Sequence, residues 1–209
     1  MKVRTERLEL HRIETLPVSR EIKKELVRKA IHFLIALVPL LSSLIGAAAA
    51  LGLLASGTVV YAYAEWRRSQ GITIPIISRL TRYASRDRDL GHFVLGPVTL
   101  GLGAMIALML YPEPAASIAI YALAFGDGVA SLVGKLLGRI RLPATGGKTL
   151  EGSAACFFAV FFASYAVLGN LAPAAVIAFG AALLEAAPTE DLDNLVLPTG
   201  VGFLAILAG

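Results

Sequence analysis

The sequence predicts an all-α protein: a polytopic transmembrane helical bundle of about seven short spans, with its polar site on the cytoplasmic face. Three observations carry this prediction. Hydrophobic residues make up 56% of the chain and charged residues only 16%, whereas a soluble domain carries about a quarter charged residues. Long stretches contain no formal charge at all. Every Lys and Arg falls in one of three segments, nine in residues 1–29, six in 65–91 and four in 135–148.

Taken in order, residues 1–29 read as a basic cytoplasmic helix and 30–209 as the transmembrane domain. The first segment includes five Glu and is too long and mixed for the n-region of a cleaved signal, so it is expected to remain in the mature chain. Ala30 to Ala64 is 35 residues without a charge. At about 1.5 Å per residue that exceeds what a ~30 Å hydrocarbon core needs, so it should fold back as a hairpin, reversing near Leu41 to Gly46. In the second basic segment, Ile76, Ile77, Leu80 and Tyr83 share one helical face, while Arg79, Arg82 and Arg86 fall near another. Thr73 to Pro75 is a natural start, and the pattern suits a helix lying on the membrane, anchored by snorkelling arginines or touching lipid phosphates. His92 to Tyr111 makes a third span, ended by the YPEP turn. A fourth, Ala115 to about Leu137, is expected to break at Gly126-Asp127-Gly128. Ser153–Leu168, Ala172–Ala187 and Leu195–Ala208 supply three more.

Alternating these spans puts all the basic segments on one side, which the positive-inside rule makes cytoplasmic. The basic excess thus serves membrane orientation, and no nucleic-acid partner is required. Cys156 lies alone in an apolar run, so no disulfide framework exists.

Four polar features interrupt the apolar background. The first, GGKTLEGS at 146–153, ends like a phosphate-binding loop but has Leu142 where the P-loop pattern needs Gly. Gly146 and Gly147 free the backbone, Thr149 can N-cap the next span, and the amides of that helix start, with Lys148, could attract phosphate. A flexible loop before a well-capped helix, with Glu151 near the positive end of the dipole, accounts for the same residues. The second is Asp127, flanked by Gly126 and Gly128. A carboxylate inside a span costs about 2.5–3.5 kcal/mol and needs compensation, which points to a polar cavity in a broken helix. Downstream of it, Ala130, Gly134 and Gly138 form a small-residue packing face. The third is Glu185 with the DLDN run, residues 191–194, including Asp193 and Asn194. Carboxylates arriving on separate helices suit Mg²⁺, although a solvated acidic loop explains DLDN equally. The fourth is ELVRKAIHF at 25–33, which lines up Glu25, Arg28, Lys29 and His32 at helical spacing. That cluster could grip phosphates or simply head the first span. His92 has no assigned role.

Together, E-x-x-R-K-x-x-H (Glu25 to His32), G-D-x-x-A-S-x-x-G (Gly126 to Gly134), K-T-x-E-G-S (Lys148 to Ser153) and a late Glu185 followed by Asp193-Asn194 resemble the CTP-dependent polyprenol kinase family, which includes dolichol kinase, phytol kinase and CTP-dependent diacylglycerol kinases. The resemblance covers roughly residues 25–200. One position departs from it: Gly147 stands where family members commonly carry a second Lys. The resemblance implies a multi-pass enzyme of a prokaryotic cell membrane, with its active site in the 30–209 catalytic domain. It would transfer the γ-phosphoryl of CTP to the hydroxyl of an isoprenoid alcohol, with Mg²⁺ as cofactor. In that assignment Asp127 and Lys148 are catalytic. Arg28, Lys29, Gly146, Gly147, Lys148, Thr149, Gly152 and Ser153 bind the nucleotide phosphates. Asp127, Glu151, Glu185 and Asp193 hold the metal, and His32, Gly126, Gly128 and Asn194 are further candidates. A membrane cytidylyltransferase acting on a lipid phosphate and a small-solute or ion transporter are the competing expectations. The oligomeric state is left open.

Overall fold

The protein is described here by a computed structural model covering residues 21–85, 92–189 and 192–209. All regular structure among those residues is helical, apart from one isolated bridge between Arg141 and Thr149. Helix α1 spans 21–35 and passes through a turn at 36–37 into α2, Val38–Ile45. The 29/30 boundary therefore falls inside a continuous helix, and residues 1–20 of the expected N-terminal helix lie outside the described residues. Gly46, with φ +88°, makes the reversal at the expected place, and α3 follows as Ala47–Ser69. Helix α4 is Pro75–Ala84, and α5 is Gly96–Leu110. Next come α6 (Ala115–Tyr121), a π-helical segment (Ala122–Asp127) and α7 (Gly128–Leu137), stacked as one rod. Helices α8 (Leu150–Leu168), α9 (Leu171–Ala186) and α10 (Asp193–Ala208) complete the bundle.

Four helices are long and apolar enough to cross a membrane: Glu21–Ile45, Ala47–Ser69, Ala115–Leu137 and Leu150–Leu168. Helices α5, α9 and α10 are apolar but shorter, at 15, 16 and 16 residues. The Ala115–Leu137 rod is the central one: 61% of its apolar stretch is buried, against 22%, 11% and 28% for the other long helices. Around it a core of small and branched residues (Ala122, Ala130, Val160, Ile177, Leu197, Val201) joins α6 to α10. Large apolar side chains such as Leu44, Met109, Phe162 and Leu207 point outward, as a lipid-facing surface requires.

The expected break at Gly126-Asp127-Gly128 is instead a wide turn in an unbroken helix. The glycines serve close approach rather than rupture. A Cβ on Gly126 would meet Val160 Cγ2 at 3.0 Å and Cys156 Sγ at 3.3 Å, and one on Gly128 would stand 2.6 Å from Phe33 Cε1. Helices α8 and α1 can therefore press against the π segment on either side of Asp127. The expected small-residue face is present one turn later, where Gly134 and Gly152 let α7 and α8 meet: a Cβ on Gly152 would lie 3.0 Å from the Ala130 carbonyl oxygen.

Helix α4 forms where the amphipathic surface helix was expected. Ile76 and Tyr83 are strongly exposed, while Ser78 and Thr81 are buried. Ser78 and Thr81 thus turn inward, while Arg79 and Arg82 are exposed alongside Ile76 and Tyr83; Arg86 lies outside the described residues.

Candidate active site

Helical spacing aligns Glu25, Arg28, Lys29 and His32 on the face of α1 turned toward the central rod. Lys29 Nζ pairs with Asp127 Oδ2, and both residues are buried. His32 Nδ1 lies 3.2 Å from the same oxygen without hydrogen-bond alignment, and Ser131 Oγ donates to Asp127 Oδ1 at 3.4 Å. This is the compensation that a carboxylate in the middle of an apolar rod demands. One turn earlier, Glu25 accepts from Arg28 Nη2 at 2.5 and 2.7 Å and pairs with Lys135 Nζ of α7 at 2.6 Å. Sequence reading did not single out Lys135. Its position eight residues after Asp127, on the same rod, is the signal that could have found it.

A second network forms at the start of α8. The chain from Ile140 to Leu150 closes as a tight hairpin, with Leu142 N–H donating to the Lys148 carbonyl and Leu150 N–H to the Ile140 carbonyl, each at 2.9 Å. Gly146 (φ +69°) and Gly147 (φ +98°) supply the left-handed turn. Thr149 caps α8, its Oγ1 accepting from Gly152 N–H at 3.1 Å. Lys148 Nζ then reaches Glu185 Oε1 of α9 at 2.7 Å, and Ser153 Oγ donates to Glu185 Oε2 at 3.0 Å. Burial works against the Lys148 ammonium, but Glu185, with Asp127 and Asp193 behind it, outweighs that and holds its pKa above the usual lysine value.

Two expectations change. The helix start is not an open anion cradle, because the Leu150, Gly152 and Ser153 amides already have partners in Ile140, Thr149 Oγ1 and the Thr149 carbonyl. Glu151 does not face the other carboxylates. Its oxygens accept the Ile140 amide at 3.3 Å, because a side chain at the second position of α8 projects back over the hairpin rather than toward α9.

The two networks border adjoining cavities. A polar one of about 430 Å³ is lined by Lys135, Gly146, Gly147, Lys148, Thr149, Gly152 and Glu185. A more apolar one of about 270 Å³ has Lys29, His32, Asp127 and Asn194 among its lining, with the rest from α1, α3, α4, α5 and the segment before α5. Arg28 and Asp193 line both. Among the described residues, Asp193 pairs with no cation; its Oδ1 accepts the Asn194 amide at 2.9 Å. Asn194 Nδ2 donates to Thr99 Oγ1 at 2.8 Å. Among the same residues, no three His, Cys, Asp or Glu side chains come together as a ready-made metal cage. Asp191 lies outside the described residues.

Sequence reading also missed Glu65, almost fully buried near the C-terminal end of α3. It accepts from Arg68 Nε at 2.8 Å and from Val94 N–H at 2.8 Å, while Arg68 holds the His92 carbonyl at 2.7 Å. This clamp fixes the wall of the apolar cavity; the signal was a Glu closing an otherwise uncharged span.

Fold and site together define an all-helical, membrane-type protein with a charge-paired polar centre opening into two cavities. Comparison with protein-family profiles, with curated proteins and with solved structures finds no match.

Proposed function

We propose that this chain is a multi-pass lipid kinase of a prokaryotic cell membrane, transferring the γ-phosphoryl group of CTP to the hydroxyl of an isoprenoid alcohol at the cytoplasmic face. The observation that carries the reading is that Arg28 and Asp193 line both cavities, so a polar, glycine-lined chamber and an apolar one meet at a shared set of charges. In this reading seven helical crossings, including the three shorter helices, place the three basic segments on the cytoplasmic side.

Phosphoryl transfer asks mainly for positioning and for charge complementary to the moving group. The nucleotide phosphates occupy the polar chamber, facing Lys148, Arg28 and the Gly146-Gly147 turn. The acceptor hydroxyl approaches Asp127, which Lys29 and Ser131 hold in place. Asp127 takes the hydroxyl proton as the oxygen bonds to the γ-phosphorus, the bond from that phosphorus to the bridging oxygen breaks, and CDP leaves. The donor set fits a hard divalent cation that takes most of its oxygens from phosphates and water: Asp193, with Asp127 beside it, would hold Mg²⁺. The ion would supply neutralisation of phosphate charge.

The test incubates purified protein with γ-labelled CTP or ATP and a panel of prenols, phytol and diacylglycerol. Label appearing on a prenol together with released CDP supports the reading. Pyrophosphate as the product would identify a cytidylyltransferase instead, and label never reaching a lipid would end the kinase proposal.

A further inference from the structure

The 270 Å³ cavity is walled mainly by apolar side chains from α3, α4 and α5, yet it carries an unusual set of polar atoms. His32 Nδ1, Thr81 Oγ1 and Asn194 Oδ1 are all buried without a hydrogen-bond partner, and all three residues line this one cavity. Buried polar groups are nearly always satisfied, and His32 Nδ1 has only the misaligned Asp127 Oδ2 at 3.2 Å, so three such groups on residues lining one apolar chamber point to a ligand that brings its own polar head. At ~30 Å³ per water-sized group, the volume holds roughly nine heavy atoms.

We infer that this cavity is the acceptor site. It binds the hydroxyl end of one single-chain lipid alcohol, with the hydroxyl among His32, Asn194 and Asp127 and about the first eight carbons enclosed. The remaining tail leaves beside α4 into the bilayer, past exposed Ile76 and Leu80. The inference rests on the kinase reading for what happens to the hydroxyl, but not for where the lipid sits. It carries a consequence for specificity. Recognition reads only the enclosed segment, so affinity rises with chain length up to about eight carbons and is flat beyond, while a diacylglycerol with two chains at its head does not fit.

Gly57 gives a clean handle. It lines the cavity, and a Cβ added there meets nothing within 4 Å, so a larger side chain starts in open space at the cavity wall. Gly52, on the same helix, is equally open but does not line the cavity. The experiment photolabels the full chain in nanodiscs, without nucleotide, using a diazirine-bearing ten-carbon prenol, and maps the adducts by mass spectrometry. The expected adducts fall in residues 57–61, 76–84 and 93–100. They are competed by unlabelled prenols but not by diacylglycerol, fall at least tenfold in Gly57→Phe, and persist in Gly52→Phe. Ile77→Trp, which fills the same chamber from α4, repeats the loss should Gly57→Phe fail to fold. Adducts spread evenly over the outward-facing surface, or undiminished in both filled variants, would overturn the inference. Because no turnover is required, labelling at this site stands even if no phosphoryl transfer is ever detected, and a kinase with no labelling there keeps its activity and loses this site.

Discussion

Lys29 of α1 and Asp127 at the end of the π segment form a buried ion pair across 98 positions of sequence. This contact joins α1 to the central rod and sits where the two cavities approach one another.

Replacing Lys29 by Met leaves the Asp127 carboxylate buried without its cation. Loss of one partner of a buried pair costs about 3–5 kcal/mol, so thermal unfolding in detergent should drop sharply. The double variant Lys29→Met with Asp127→Asn should recover much of that stability. On the proposed mechanism Asp127→Asn, stable or not, loses at least ~100-fold in kcat, the scale of a missing general base. Full activity in a folded Asp127→Asn protein would remove Asp127 from the chemistry.

Lys148 gives a pH signature. Its pKa is raised above the ordinary 10.5, so its pairing with Glu185 contributes stability in full below that ordinary value and loses it as pH rises through the raised one. The stability gap between wild type and Lys148→Met, followed by thermal melts, should therefore stay constant from neutral pH to about 10 and narrow only above it. A gap that closes between pH 7 and 9 would contradict the Lys148–Glu185 pair.

Thr149 acts on α8 through its side-chain oxygen. Thr149→Val removes the cap to Gly152 N–H and should cost about 1 kcal/mol, whereas Thr149→Ser should be close to wild type. Equal melting temperatures for all three proteins would show that the cap contributes nothing to the fold.

The carboxylates divide by direction. Glu151 is held over the Ile140 amide, so Glu151→Gln should leave the Mg²⁺ dependence of phosphoryl transfer unchanged. Asp193 lines both cavities, and Asp193→Asn should raise the Mg²⁺ concentration needed for half-maximal rate by tenfold or more. The reverse pattern in a Mg²⁺ titration would move the cation to the α8 end of the site.

What could be read along the chain was what depends on near neighbours. Apolar run length marked the hairpin reversal at Gly46 and the Ala115–Leu137 rod. Three- and four-residue spacing put Glu25, Arg28, Lys29 and His32 on one face, and a Thr before an apolar run marked the cap at 149. Periodicity and capping involve residues within a turn or two of each other, so sequence by itself determines them. Tertiary structure alone decided which charge meets which. Lys29 found Asp127, Lys148 found Glu185 37 positions away, and Glu25 found Lys135. It also turned Glu151 aside, closed the amides at the start of α8, and used Gly126 and Gly128 for packing rather than for a break. Those outcomes depend on how helices distant in sequence lie against one another and on which way each side chain leaves its own backbone, neither of which local spacing contains.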